Sequence, residues 1–301
     1  MKVLMITGDK NFTSSERYKL QASVVERLEV LYWGRGEMFP RLPQGEFDVV
    51  TAQDPFWRGI FALHSARKLG AKFNVQVHTD FAAQTIVKKI IGAYVLRRAA
   101  NVRVVSHAIK ESLAHLHLKA PIVVLPVYVD VERFKNVPHI QHETFKKTIL
   151  WFGRFESEKN PLFALEVLER VRTSGVDAGL ILLGKGTQEP LLRAKAEGMP
   201  VEFVPWQDPL PYLQKADAVL CTSRFEGWGA SIVEALAAGV PVVAPDVGIA
   251  REAGAYVALK EQLADRVAAV LTSGERATLT LHLQSAGEWA KGWRESLLAT
   301  K

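Results

Sequence analysis

Residues Phe225 to Asp246 read Phe-Glu-Gly-Trp-Gly-Ala-Ser-Ile-Val-Glu-Ala-Leu-Ala-Ala-Gly-Val-Pro-Val-Val-Ala-Pro-Asp. They follow an apolar, strand-like run, Ala218-Val-Leu-Cys221, and Gly227 and Gly229 then open a helix expected to begin near Ser231. Gly239-Val-Pro241 closes that helix. A glycine-bearing loop that feeds a helix N-terminus presents free backbone N–H groups and lets a ligand approach the main chain, which is a phosphate site in outline. Ile232, Val233 and Ala235 to Ala238 make the helix apolar on nearly every side, so Glu234 stands out. A carboxylate on a buried helix is costly without a partner. That partner is either a cation, with Arg224 and Arg251 in range, or the paired hydroxyls of a ribose, as for the acid of a dinucleotide fold.

Working outward, strands alternate with helices on both sides of this stretch. Strands are expected at Lys2–Ile6, Glu29–Trp33, Phe47–Thr51, Phe73–Val77, Val102–Val105 and Ile122–Leu125. Helices are expected from Ser15 to Leu28, from Asp54-Pro55 to Leu69 with Gly70 beyond, and from after Val77 to about Arg98. Pro126, Pro138 and the polar run His139–Lys147 break the rhythm and read as a linker. The alternation restarts at Thr148–Phe152 and continues at Leu180–Leu183, Val201–Phe203, Ala218–Cys221 and Pro241–Ala244. This is an α/β chain with two doubly wound, mostly parallel sheets: residues 1–140, residues 141–280, and a last helix in 281–301. Leu283, Ala286, Ala290, Trp293 and Leu297 keep helical spacing in that helix.

At 301 residues, 48% hydrophobic and 23% charged, the composition is globular and each half can bury a core. The single cysteine, Cys221, excludes an intrachain disulfide and fits a reducing compartment. No apolar run approaches a membrane span and Met1–Thr7 reads as a strand, so a cytoplasmic protein is expected. The net charge of +6 is unevenly spread, because residues 81–110 hold Lys88, Lys89, Arg97, Arg98, Arg103 and Lys110 with no Asp or Glu. Val87, Ile90, Ile91, Tyr94 and Val95 form an apolar stripe there. The stripe is either core beneath a solvated basic face or, over residues 84–103, a basic amphipathic helix lying on an anionic membrane. Without a recognisable reading module, the charge is thin support for nucleic-acid binding, and none is expected.

Glu226, seven intervening residues and Glu234, set among glycines and followed by Ala-Gly-Val-Pro-Val-Val-Ala, resemble the signature of the family 4 (group 1) glycosyltransferases. The resemblance implies the GT-B fold, with two Rossmann-like domains facing across a cleft and a last helix crossing back to the first. Spacing alone shows only an amphipathic helix, equally able to pack on its own domain. The resemblance also implies retaining transfer, of the hexosyltransferase type, from a nucleotide-sugar donor to a glycan or lipid-linked acceptor. In it Glu226 contacts the donor sugar, Glu234 the ribose, and Gly227, Trp228, Gly229, Ala230 and Ser231 border the donor.

Gly153-Arg-Phe-Glu-Ser-Glu-Lys159 follows the first strand of the second half. Arg154 offers a planar fork to phosphate oxygens and Lys159 a mobile charge, and the segment resembles the family's diphosphate-holding Gly-Arg…Lys. Preorganised cations suit a leaving group that gains negative charge as the glycosidic bond breaks. No Asp-x-Asp triplet occurs, so neither a metal nor another cofactor is expected. Gly184-Lys-Gly186 matches the family's Gly-x-Gly loop, although a tight turn explains it equally well. Trp206 falls where the family's base pocket begins, stacked on a base or simply packed. His78, at the end of a strand, aligns with the family position bordering the reaction centre, and Asp80 stands near it; a satisfied core histidine is the alternative. Family members carry paired glycines after the first strand where this chain has only Gly8. That departure keeps a non-catalytic nucleotide-sugar-binding protein open as a reading, and a sugar-nucleotide epimerase of the same fold is a second alternative.

Overall fold

The computed structural model describes residues 1–299 other than 35, 37 and 39, and the chain divides into two compact units. Unit 1 comprises Met1–Tyr128 and the segment from Gln284 on; unit 2 is Val129–Leu283.

In unit 1, β1 (Lys2–Thr7), α1 (Glu16–Ala22), β2 (Arg27–Tyr32), β3 (Val49–Ala52), α2 (Trp57–Leu69), β4 (Lys72–Val77), α3 (Ile86–Leu96), β5 (Asn101–Val104), α4 (His107–Ser112) and β6 (Ile122–Val124) follow in order. The sheet is parallel, with strand order β2-β1-β3-β4-β5-β6. Five consecutive residues of β1 and all four of β3 are buried, as strands covered on both faces require.

Unit 2 runs β7 (Lys147–Arg154), α5 (Pro161–Thr173), β8 (Ala178–Lys185), α6 (Glu189–Lys195), β9 (Val201–Val204), α7 (Leu210–Lys215), β10 (Ala218–Leu220), α8 (Ala230–Ala237), β11 (Val242–Ala244), α9 (Ala250–Ala253), β12 (Tyr256–Val257) and α10 (Leu263–Ser273). Its parallel sheet has the order β12-β11-β10-β7-β8-β9, the doubly wound order of a dinucleotide-binding fold. Chain direction across the sheet reverses between β7 and β10, so the carboxyl ends of those strands form a switch-point crevice.

The last helix, α11 (Ala286–Leu298), belongs to unit 1. Ser285 and Glu288 start it with a reciprocal capping box. Trp289, Trp293 and Leu297 are buried with Val3, Met5, Phe12 and Leu125, and Trp289 Nε1 donates to the Pro126 carbonyl at 2.8 Å. At its far end Asn101 Nδ2 donates to the Leu297 carbonyl at 2.8 Å and Asn74 Nδ2 to that of Ser296 at 3.2 Å. Strand side chains thus satisfy the carbonyls that a helix C-terminus leaves orphaned.

Four local expectations change. The helix expected over Ser15–Leu28 stops at Ala22, and β2 already begins at Arg27; Ser15 does cap α1, accepting from the Tyr18 N–H. Asp54 does not cap α2, which starts at Trp57: its carboxylate accepts from the Phe56 N–H at 2.9 Å and pairs with Arg58 at 2.8 Å. The stretch read as a linker is packed onto unit 2. Phe145 fills the space a side chain at Gly179 would need, and the buried His142 stacks on it at 4.4 Å. In α3, of the expected core stripe only Val95 is fully buried, whereas Val87 is 61% and Ile90 65% exposed.

Candidate functional site

The unit 2 crevice is built by two loops that leave neighbouring strands on either side of the switch point. The loop after β7 carries Arg154 to Lys159 and the loop after β10 carries Cys221 to Gly229. Thr222 stitches them together: its buried hydroxyl contacts the carbonyls of Lys159 and Asn160, each at 2.9 Å, and accepts from Trp151 Nε1 at 2.8 Å. The Arg224 N–H adds a bond to the Glu158 carbonyl at 2.9 Å. Asn160 takes the left-handed conformation, with φ 52°, and makes no side-chain cap on α5; it supplies the corner that turns Lys159 back over the crevice.

Lys159 Nζ lies 2.5 Å from Glu226 Oε1, and Ser223 Oγ donates to the same oxygen at 2.7 Å. Both partners are sheltered, with side-chain exposures of 23% and 9%. These two residues, 67 positions apart in sequence, are therefore brought into one charged pair at the switch point. Together with Trp151, Phe152, Leu220, Cys221 and Ile232, the pair lines a cavity of ≈ 20 Å³, which holds at most a water molecule. Cys221 is buried and its thiol is pushed up by desolvation first and by Glu226 second, which makes it a core residue.

Arg154 is on the same loop but points elsewhere. Its side chain is 69% exposed and pairs with Glu158 at 2.7 Å. Gly184 and Gly186 have a steric role: a Cβ at Gly184 would lie 2.0 Å from the Gly153 carbonyl oxygen, and one at Gly186 2.6 Å from that of Phe155. They allow the end of β8 to press against the Gly153–Phe155 backbone and hold the Arg154 loop in place.

Helix α8 begins at Ala230 behind Gly229, whose φ of 105° suits glycine, and no side chain caps it. The first-turn N–H groups of Ala230 and Ser231 are thereby left available to an anion. Gly227 is half-buried beside them. Trp228 is buried, packing the loop from within. Gly248, which the sequence reading passed over, is what lets the next loop close on it. A Cβ there would sit 2.3 Å from the Trp228 carbonyl oxygen and 2.9 Å from Glu226 Cβ.

Glu234 is half-buried on α8, and its carboxylate has no ion pair or hydrogen bond among the described residues. The expected salt bridges do not form: Arg251 pairs with Asp246 at 2.7 Å, and Arg224 is exposed. Burial pushes the Glu234 carboxyl up to about 7, with Arg133 opposing and Asp208 adding to the shift. Arg133 and Asp208 are themselves an ion pair. Trp206, two residues before Asp208, is 50% exposed, so of the two readings the simply packed indole does not hold.

In unit 1, His78 follows β4 and its Nε2 lies 3.4 Å from Gln76 Oε1. The same oxygen accepts from Arg103 Nη1 at 2.6 Å. Arg103 is buried, donates also to the Leu125 and Pro126 carbonyls at 3.2 and 2.8 Å, and lies over the Trp289 ring. Desolvation, then Arg103 and Arg17, hold His78 well below its ordinary value, so the imidazole is neutral at pH 7. Asp80 is engaged by the Ala82 N–H at 2.8 Å. Where the paired glycines were missing, the Arg58 guanidinium occupies the space beside Gly8, 2.1 Å from where a Cβ would stand.

Among the described residues no group of three or more His, Cys, Asp or Glu side chains could hold a metal, and no helix is long and apolar enough to cross a membrane.

Comparison with known proteins bears on this geometry. The family model described as glycosyl transferases group 1 matches residues 146–273, and that described as Glycosyltransferase Family 4 matches residues 13–133. A phosphatidyl-myo-inositol mannosyltransferase of Mycobacterium leprae is 33% identical over 134 residues, covering 42% of this chain and 35% of that protein. The chain thus spans about a third of the length of that relative. Among solved structures, Anabaena HepE in complex with UDP and glucose aligns over 100% of both chains with a TM-score of 0.75 at 14% identity. The apo lipopolysaccharide outer core galactosyltransferase WaaB aligns over 99% of both with a TM-score of 0.70 at 16% identity. The two family models together take in the crevice of unit 2 and most of unit 1, and the chain belongs to the family 4, group 1 glycosyltransferases of GT-B fold.

Proposed function

We propose that this protein is a retaining, metal-independent hexosyltransferase that takes its sugar from a nucleotide-sugar bound in unit 2 and delivers it to an acceptor on unit 1. The observation that carries this reading is the Lys159–Glu226 pair at the switch point, with the uncapped N-terminus of α8 and the unpartnered Glu234 on the same helix.

The chemistry follows from the charges. A nucleoside diphosphate competes with Glu226 for the Lys159 ammonium, and the α8 N–H groups donate to the same anion. Taking Lys159 frees Glu226 to accept hydrogen bonds from donor-sugar hydroxyls, so donor binding and sugar positioning are coupled. Arg154, exposed on the same loop, adds a second cation when it leaves Glu158. Glu234 accepts from the ribose diol, which supplies the partner this carboxyl lacks, and Trp206 offers a face to the base. The bond from the anomeric carbon to the diphosphate breaks, the acceptor oxygen bonds to that carbon, and the hydroxyl proton is released. Negative charge growing on the leaving diphosphate is met by cations already in place. His78, neutral, can serve the acceptor side only as a hydrogen-bonding group and not as an imidazolium acid.

The name of the Mycobacterium leprae relative supports a lipid-linked acceptor, and the UDP and glucose in the HepE complex support a UDP-hexose donor. A reducing, cytoplasmic setting suits the one buried cysteine. The test is nucleotide release from UDP-, GDP- and ADP-sugars, with and without a lipid and glycan extract, beside a Glu226→Gln variant. The expected result is release dependent on one donor and on the extract, cut by about 10²–10³-fold in the variant. Donor binding without release would instead make this a binding protein, and an isomerised donor without acceptor would make it an epimerase.

A further inference from the structure

Helix α3 turns its apolar side outward. At about 100° per residue, Ile86, Ile90, Tyr94, Val87 and Ile91 share one arc of about 140°, with Gly92, Val95 and Leu96 opposite. It is the second set that is buried. Gly92 and Val95 are fitted tightly: a Cβ on Gly92 would lie 2.5 Å from the Phe81 ring, and Val95 is 2.9 Å from where a Cβ of Gly59 on α2 would stand. This packing fixes the rotation of the helix. The other arc is left in water, with Ile86 77%, Ile90 65%, Val87 61% and Tyr94 44% exposed. Contiguous exposure of this kind marks an interaction surface.

What surrounds the arc says what it meets. Lys89 and Lys88 fall on its two flanks, each about 60° beyond an edge. Arg97 and Arg98 follow the helix, and Arg98 is held in place by a bond to the Tyr94 carbonyl at 3.0 Å and by stacking over the Tyr94 ring at 3.7 Å. None of these four cations is in an ion pair among the described residues, and residues 81–110 contain no acid to pair with them. A second copy docked across a two-fold axis would set these cations against each other. Five side chains also fall far short of the roughly 20–30 residues a side that a stable protein interface engages. An apolar arc rimmed by unpaired cations fits an anionic lipid surface, with side chains at the acyl boundary and cations among the phosphates.

We propose that α3 is a membrane-surface helix that docks unit 1 onto anionic lipid. This does not depend on the transferase reading, because vesicle binding requires no turnover. The experiment is co-flotation of the full chain with phosphatidylcholine vesicles, with and without phosphatidylglycerol, at low and high salt. Binding is expected only to the phosphatidylglycerol vesicles and is weakened by salt. Lys88→Ala with Lys89→Ala lowers partitioning about thirty-fold, and Ile90→Ser lowers it about tenfold. The substituted side chains are largely at the surface, so both variants keep the wild-type circular dichroism and melting temperature. No partitioning, equal partitioning to both vesicle types, or partitioning unchanged in the variants would overturn the proposal. So would binding to a short RNA that the lysine variant loses while vesicles are ignored.

Discussion

Across the unit 1 sheet the charged and amide groups are spent on one another; at the carboxyl ends of the unit 2 strands they are held in pairs that a ligand can take over. In unit 1 Thr51, Asn74, Gln76, Asn101 and Arg103 form a buried hydrogen-bonded chain across the sheet, ending on carbonyls of α11 and of the segment after β6. Burial, and Arg17 after it, pull Arg103 down to about 9, which still leaves it charged at neutral pH. That charge has neutral acceptors and an indole face in place of a carboxylate. In unit 2 the Lys159–Glu226 pair is partly open, and among the described residues the Glu234 carboxylate has no hydrogen bond or ion pair, with only the Arg133 and Asp208 charges acting on it. Polar groups that complete a fold are satisfied within it, whereas those that await a ligand are left under-satisfied.

The comparison can be broken in graded ways. The largest effect belongs to Glu226→Gln, which should cut kcat/KM by about 10²–10³-fold, or about 3–4 kcal/mol, while moving the melting temperature little. A large loss of stability with activity retained would place Glu226 with the structural groups instead. Arg103→Ala should do the reverse. It removes three donors and the contact with Trp289, costing about 2–4 kcal/mol of stability in urea unfolding, with donor affinity kept in the folded fraction.

Glu234→Gln sharpens the contrast further. The carboxyl titrates at about 7 in the folded chain against an ordinary 4.5. Between those values the folded state holds a proton that the unfolded state has released, so stability falls as pH rises through this window and levels off above it. The amide should therefore stabilise the protein by about 1–3 kcal/mol at pH 8 and by almost nothing near pH 4.5, after discounting for solvent at a half-buried site. The same change should weaken donor binding about tenfold, since an amide is a poorer acceptor for a diol. A variant neither more stable at pH 8 nor weaker for donor would remove Glu234 from the site.

Much of unit 2 was legible in the sequence because its signals are local. The alternation of apolar runs placed its strands, and the glycine junction before Ile232-Val-Glu234 marked a helix start next to a carboxylate. Lys159 and Glu226 were each singled out, but their pairing was not, because it depends on two loops meeting across a strand-order reversal. Thr222 and Ser223 lie beyond the expected strand Ala218–Cys221 and carry no local signal of their own. Only the tertiary structure shows the hydroxyls joining the loops. In unit 1 the decisive contacts are long-range: Arg58 reaches Gly8 from another helix, and Asn74 reaches Ser296 across 222 positions. Periodicity located both faces of α3, but it cannot say which one a neighbouring helix covers. Here the close fit of Gly59 to Val95 and of Gly92 to Phe81 reversed the usual assignment.

In the proposed reading, unit 2 alone supplies the charge that holds the donor diphosphate. Isothermal titration of the matching nucleoside diphosphate into wild type, Lys159→Ala and His78→Ala tests it most directly. Binding at least tenfold weaker for Lys159→Ala and unchanged for His78→Ala is expected. Unchanged binding for Lys159→Ala, with affinity lost for His78→Ala, would contradict it.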